Sequence, residues 1–192
     1  MKKLQSRHRL PIRCFHWINV AVLAVMIWSG LLIYWANDVY RIGIGSVTLF
    51  KFFPQSFYST FGIGFRLAEG MSWHFAFMWL FAINGFLYVS YTIFSGEWRY
   101  SGIQRFAYIT IIVMGAGSFL TGLAIYKPTQ LAWLTSLLGG YQPARFEHFW
   151  ITIGYVAFFC IHVAQVMRAG WSNFRSMITG YELVEVEKAS SD

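Results

Sequence analysis

The sequence predicts an all-α fold: an integral membrane four-helix bundle with its N and C termini cytoplasmic. Three observations predict it. Four runs are apolar over the roughly 20 residues that a helix needs to cross a hydrocarbon core. Only 12% of the 192 residues are charged against 57% apolar, about half the charge of a soluble domain, so a water-facing surface of ordinary size cannot be assembled. The runs are continuously apolar and do not alternate, which excludes a membrane β-barrel and leaves helices to satisfy their own backbone groups.

The first run is Phe15 to Ala36. Basic residues precede it as they would a signal peptide, but the run is too long and Trp35-Ala36-Asn37 offers no small-residue cleavage site, so it is expected to stay in the mature chain. An outer segment of about 37 residues follows, too long for an idle connection. Its aromatics (Phe50, Phe52, Phe53, Phe57, Tyr58, Phe61, Phe65) suit a structure lying in the membrane interface. The other runs are His74 to Phe94, Phe106 to Tyr126 and Phe149 to Met167, with Leu131 to Leu138 a second interfacial piece. Residues 1–181 form one membrane domain, and 182–192 a short, acidic and mobile tail.

Orientation follows from the basic residues. Lys2, Lys3, Arg7, Arg9, Arg13, Arg99, Arg105, Arg168, Arg175 and Lys188, ten of fifteen, fall on one side, which the positive-inside rule makes cytoplasmic. The net charge of +7 thus belongs to loops and ends, and nucleic acid is dropped as a partner. Cys14 and Cys160 stand apart, outside any Cys-x-x-Cys pairing, and are read as packing residues.

Ionisable or metal-binding side chains within membrane spans are costly and are functional candidates by default. His8 lies in the basic arm and reads as a solvated residue, but the other four histidines lie in or at the ends of spans. His148 and His162 are 14 residues apart, about 21 Å of rise and about 40° short of whole turns, so they share one face of the fourth helix. Following chain direction, His16 comes level with His162 near the inner surface, and His74 level with His148 near the outer. Each level then has two imidazoles on different helices, as two stacked bis-imidazole haem sites would need. Singly, His16, His74 and His148 are also ordinary interfacial or helix-start residues; the joint arrangement carries the reading.

Glycines test it, because a helix passing the edge of a porphyrin must lack a side chain there. Gly30 follows His16 by 14 residues and faces the same way at the outer level, and Gly85 follows His74 by 11 and comes near the inner level. Close helix packing accounts equally for Gly115, Gly117, Gly122 and Gly154.

The segments Leu10-Pro11-Ile12-Arg13-Cys14-Phe15-His16-Trp17-Ile18-Asn19, Glu69-Gly70-Met71-Ser72-Trp73-His74 and Gly96-Glu97-Trp98-Arg99-Tyr100, with the spaced pair His148 and His162, carry a resemblance. From about His8 to Tyr181 the chain resembles the di-haem cytochrome b family of hydrogenase, formate dehydrogenase and thiosulfate reductase membrane subunits, closest to the thiosulfate-reductase-like branch. The resemblance implies two haem b groups, with His16 and His162 as axial ligands to iron on the cytoplasmic side and His74 and His148 on the periplasmic side. It also implies an inner-membrane electron-transport subunit of a respiratory chain. Its expected partners are membrane lipid, quinone and a periplasmic oxidoreductase subunit, a molybdopterin enzyme favoured and a hydrogenase possible.

The outer segment is read as a docking surface for that partner or as an interfacial cap. Arg13, Arg66 and Arg145 are candidates for haem propionates, with a solvated interface role as the plainer reading. Asn19, Glu97, Tyr100 and Gln104 are quinone candidates near the inner side. The competing readings are a histidine-lined transporter or metal-handling protein and a stand-alone quinone-coupled cytochrome b. The fourth span offers mainly Ile151, Ile153, Tyr155, Val156, Phe158 and Phe159 between its histidines, which disfavours a wet path.

Overall fold

The structure, a computed structural model, describes residues 2–36, 41–96 and 102–185. In chain order they form β1 (Lys2–Ser6), α1 (Leu10–Trp35), β2 (Arg41–Ile44), β3 (Val47–Lys51), α2 (Gln55–Phe61) and α3 (Leu67–Phe94). After these come α4 (Gly102–Tyr126), α5 (Ala132–Leu137), α6 (Tyr141–Ala169), α7 (Trp171–Thr179) and β4 (Tyr181–Glu185). Helices α1, α3, α4 and α6 are each long and apolar enough to cross a membrane. Phe86, Phe94, Phe106 and Ile161 face outward uncovered, as a lipid-facing surface allows. The chain is an all-α integral membrane bundle with two small β ribbons at its ends.

All four long helices begin earlier than their apolar runs: α1 at Leu10, α3 at Leu67, α4 at Gly102 and α6 at Tyr141. Hydropathy marks where the chain enters hydrocarbon, whereas hydrogen bonding carries the helix on into the interface. The extra turns hold Arg66 and Glu69, paired at 2.6 and 2.8 Å, and Pro11 and Pro143 stand in first turns, where a missing N–H costs nothing.

The long helices associate as two antiparallel pairs, α1 with α3 and α4 with α6. Glycine sets the first crossing: a Cβ on Gly70 would stand 2.7 Å from the Leu32 Cβ and 3.0 Å from the Ser29 carbonyl oxygen. Gly117 meets Ile151 and Gly154 meets Met114 in the second pair, each at 3.0 Å. These two glycines act as the close-packing residues the sequence suggests.

The outer segment is more structured than an interfacial stretch of aromatics. Strands β2 and β3 form an antiparallel hairpin turned at Gly45, whose φ of +59° suits the first position of a tight turn. Buried Leu32, Tyr34, Tyr58 and Ile63, with Trp28, Trp35, Phe53, Phe57 and Phe149, form an aromatic cap over the outer ends of α1 and α6. Tyr34 stacks on Phe149 at 5.1 Å, tying the two helix pairs together beside His148. Leu131 to Leu138 contains the short helix α5, packed through Leu134 against Ala124 and Ala144.

At the terminal end one expectation is corrected. The segment 182–192 is not tail from its first residue: 182–185 complete β4, which pairs antiparallel with β1 from Lys2↔Glu185 to Ser6↔Tyr181. Beside this ribbon Arg7 forms an ion pair with Glu182. The short α7 folds back under α1, where Trp17 Nε1 donates to the Met177 carbonyl (3.1 Å) and Arg13 donates to that of Ile178 (2.9 Å).

Candidate functional site

The bundle brings the four span histidines together in twos. The ring centroids of His16 on α1 and His162 on α6 are 6.0 Å apart and inclined at 57°, toward the terminal end. Those of His74 on α3 and His148 on α6 are 6.2 Å apart and inclined at 69°, beneath the aromatic cap. Helix α6 thus contributes one imidazole to each pair, and each partner comes from the opposing helix pair.

The separation is chemically informative. A metal–imidazole bond of about 2 Å and about 1.1 Å from ring nitrogen to ring centre put two imidazoles on opposite sides of one metal about 6.2 Å apart, centre to centre. Both pairs match that spacing. The imidazoles come in twos, and among the described residues no three of His, Cys, Asp and Glu gather as a protein-only metal site would need. Paired imidazoles at this spacing, with no third protein ligand beside them among the described residues, fit a haem, which His16 with His162 and His74 with His148 would hold.

The outer rings are held from behind. Ser29 Oγ lies 2.9 Å from His74 Nδ1, and Thr121 Oγ1 lies 2.8 Å from His148 Nδ1. Each hydroxyl spends its own hydrogen on a carbonyl of its helix, Ser29 on Met26 (3.1 Å) and Thr121 on Gly117 (2.7 Å). In the tautomer that carries its hydrogen on Nδ1, each oxygen accepts that hydrogen, and the Nε2 lone pair is left as the metal-binding one. Ser29 is fully buried and Thr121 nearly so, and such placements in a membrane helix are tolerated when the polar atom is fully engaged.

The glycines divide. A Cβ on Gly30 would stand 3.8 Å from His74 Cε1, so Gly30 does face the outer level, against the imidazole itself. Gly85 faces open space, with nothing within 4 Å. Gly122, read from the sequence as a packing glycine, lies against His148, 3.5 Å from Cε1.

Between the two levels the interior is aromatic. Tyr155 lies seven residues from both His148 and His162 on the shared face of α6, about 10.5 Å of rise from each. It is buried, packs edge-on to Phe81 at 6.4 Å and receives a long hydrogen bond of 3.5 Å from Ser118. Phe158 stacks parallel to His162 at 6.1 Å.

Among the quinone candidates, Asn19 is engaged: its side-chain oxygen accepts 2.7 Å from Asn84, which also donates to the Phe15 carbonyl (3.3 Å). Glu97 and Tyr100 lie outside the described residues, and Gln104 is described only as part of α4. The three arginines are occupied locally. Arg13 binds the Ile178 carbonyl, Arg66 pairs with Glu69 and lies over Trp28 at 5.6 Å, and Arg145 bonds Gln142 at 3.2 Å.

Sequence reasoning missed Ser29, Thr121, Asn84 and the close-contact role of Gly70. Only a weak signal was present for the first two: a hydroxyl residue directly before a glycine, deep in a span at the level of a histidine.

Residues 7–180 match the family described as prokaryotic cytochrome b561. A curated relative, the putative protein-methionine-sulfoxide reductase subunit YedZ1 of Azospira oryzae, is 31% identical over 195 residues, covering 86% of this chain and 92% of the relative. No solved structure matches the chain.

Proposed function

The chain belongs to the prokaryotic cytochrome b561 family, and from that premise we propose that it is a di-haem membrane subunit passing electrons between a periplasmic oxidoreductase and the quinone pool. Membership makes it a multi-pass, haem b-binding electron-transfer protein of the bacterial inner membrane. The finer reading rests on one observation above all: two imidazole pairs, each with the spacing of trans axial ligands, at opposite ends of α6.

In this reading His16 and His162 hold one haem b near the cytoplasmic face, and His74 and His148 hold the other near the periplasmic face. Bound there, haem b supplies a one-electron iron couple. The protein's own residues do the rest. Ser29 and Thr121 keep a hydrogen on Nδ1 of the outer imidazoles so that Nε2 faces inward. Phe81 and Tyr155 fill the space between levels and exclude water, which favours an insulated electron path over a transporter's wet one.

The relative is named as a subunit of a protein-methionine-sulfoxide reductase, and that name supports an oxidoreductase as partner. A molybdopterin enzyme docked over the aromatic cap is the form that the likeness to thiosulfate-reductase-type subunits favours. Quinone exchanges near the inner level, with Asn19, Glu97, Tyr100 and Gln104 as candidate contacts.

Co-purification from native membranes with metal analysis tests the partner, and reduction of the purified protein by a quinol tests the other end. A stoichiometric molybdenum-containing partner together with quinol-reducible haem is the expected result. A nickel-containing partner would move the chain to the hydrogenase branch. A chain that purifies alone and is not reduced by quinol would contradict the proposal.

A further inference from the structure

The two outer imidazoles are gripped by the same two-residue device, once from each neighbouring helix. On α1, Ser29 engages Nδ1 of His74 at 2.9 Å and the next residue, Gly30, clears the ring, its Cβ position 3.8 Å from Cε1. On α4, Thr121 engages Nδ1 of His148 at 2.8 Å and Gly122 clears the ring, its Cβ position 3.5 Å from Cε1. The hydroxyl orients the imidazole, and the glycine beside it keeps long side chains away from the ring, leaving room for a methyl group at most.

The inner pair has no counterpart. Among the described residues, neither His16 nor His162 takes a side-chain hydrogen bond, and their ring contacts are aromatic, Trp17 beside His16 and Phe158 on His162. The two sites therefore differ in what stands behind the ligands.

From this asymmetry we infer that Ser29-Gly30 and Thr121-Gly122 are positioning clamps that tune one of the two haem sites and leave the other untouched. The inference rests on the haem reading of the four histidines. A hydrogen bond accepted from Nδ1–H makes an imidazole a more basic, more electron-donating ligand, which stabilises the oxidised iron and lowers the reduction potential of that site. Two such bonds act on the outer site and, among the described residues, none on the inner, so loss of either hydroxyl raises the outer potential alone.

The test is a redox titration, followed by visible spectroscopy, of the full chain purified with its haems. The two couples are assigned with His16→Ala, which retains only the outer one. Ser29→Ala and Thr121→Val should each shift the outer couple upward, the double variant further, with the inner couple unmoved. Thr121→Ser, which keeps the oxygen, should restore the original value. Loss of the outer haem in Thr121→Val with retention in Thr121→Ser supports the same assignment. Outer couples that none of these substitutions move, equal shifts of both couples, or a Thr121→Ser protein that behaves like Thr121→Val would overturn it. Absence of two b-type couples from the unsubstituted protein would instead defeat the haem reading itself.

Discussion

His74 and His148 face each other with ring centroids 6.2 Å apart, and each is the eighth residue of its helix, His74 in α3 and His148 in α6. Both are therefore held about 10 Å of rise inside a helix, away from a fraying end. The sequence places them at the starts of apolar runs, where an interfacial histidine would be unexceptional. The interfacial turns of Leu67 to Trp73 and Tyr141 to Glu147 change that, because they brace both rings from the outer side as well as the inner.

Gly70 sets how closely α1 and α3 approach, and so whether Ser29 reaches His74. Gly70→Ala places a methyl 2.7 Å from the Leu32 Cβ and 3.0 Å from backbone, neither of which yields easily. The expected cost is about 1–3 kcal/mol of stability, measured by unfolding in detergent, with weakened retention of the outer haem. Gly154→Ala meets only the flexible tip of Met114 and should cost less.

Asn84 is a buried polar residue joining α1 to α3 near the inner pair through Asn19 and the Phe15 carbonyl. Asn84→Leu removes both bonds and should destabilise the protein by about 0.6–2 kcal/mol. The same unfolding measurement checks this, and an unchanged transition would mean that the pair does not hold the helices together.

Gly30 and Gly122 leave room for a methyl group but not for a long side chain. At 3.8 and 3.5 Å from the imidazoles, a Cβ makes ordinary contact, so Gly30→Ala and Gly122→Ala should keep full haem content. Gly30→Leu and Gly122→Leu should displace the rings and lose the outer haem. Gly85 has open space around it, and Gly85→Leu should lower occupancy of the inner haem if that space belongs to the macrocycle. Pyridine haemochrome quantification of each variant gives the answer.

Much of this architecture is written in hydropathy, because lipid punishes an unpaired backbone so strongly that four long apolar runs admit one reading. The grouping of the histidines is equally legible: once chain direction is known, depth follows from 1.5 Å per residue, and His16 with His162 and His74 with His148 follow from depth. What escaped notice depends on contacts between helices or on weak amphipathic pieces. Ser29 and Thr121 look like any small polar residue of a membrane helix until the neighbouring helix is in place. The ribbon of β1 and β4 joins residues almost a whole chain apart, with no local signal for their pairing. The α7 helix has only a short signal, Trp171, Phe174 and Ile178 at helical spacing between Gly170 and Gly180, because its 9 residues are too few for a membrane span.

The central claim is that the four histidines form two independent axial pairs, and haem counting in single-ligand variants tests it most directly. Pyridine haemochrome quantification, with reduced-minus-oxidised spectra, should give two b-type haems per chain for the unsubstituted protein and one for each of His162→Ala and His74→Ala. The haem that survives in His162→Ala should be the one missing from His74→Ala. Two full haems in either variant, or fewer than two in the unsubstituted protein, would contradict the account.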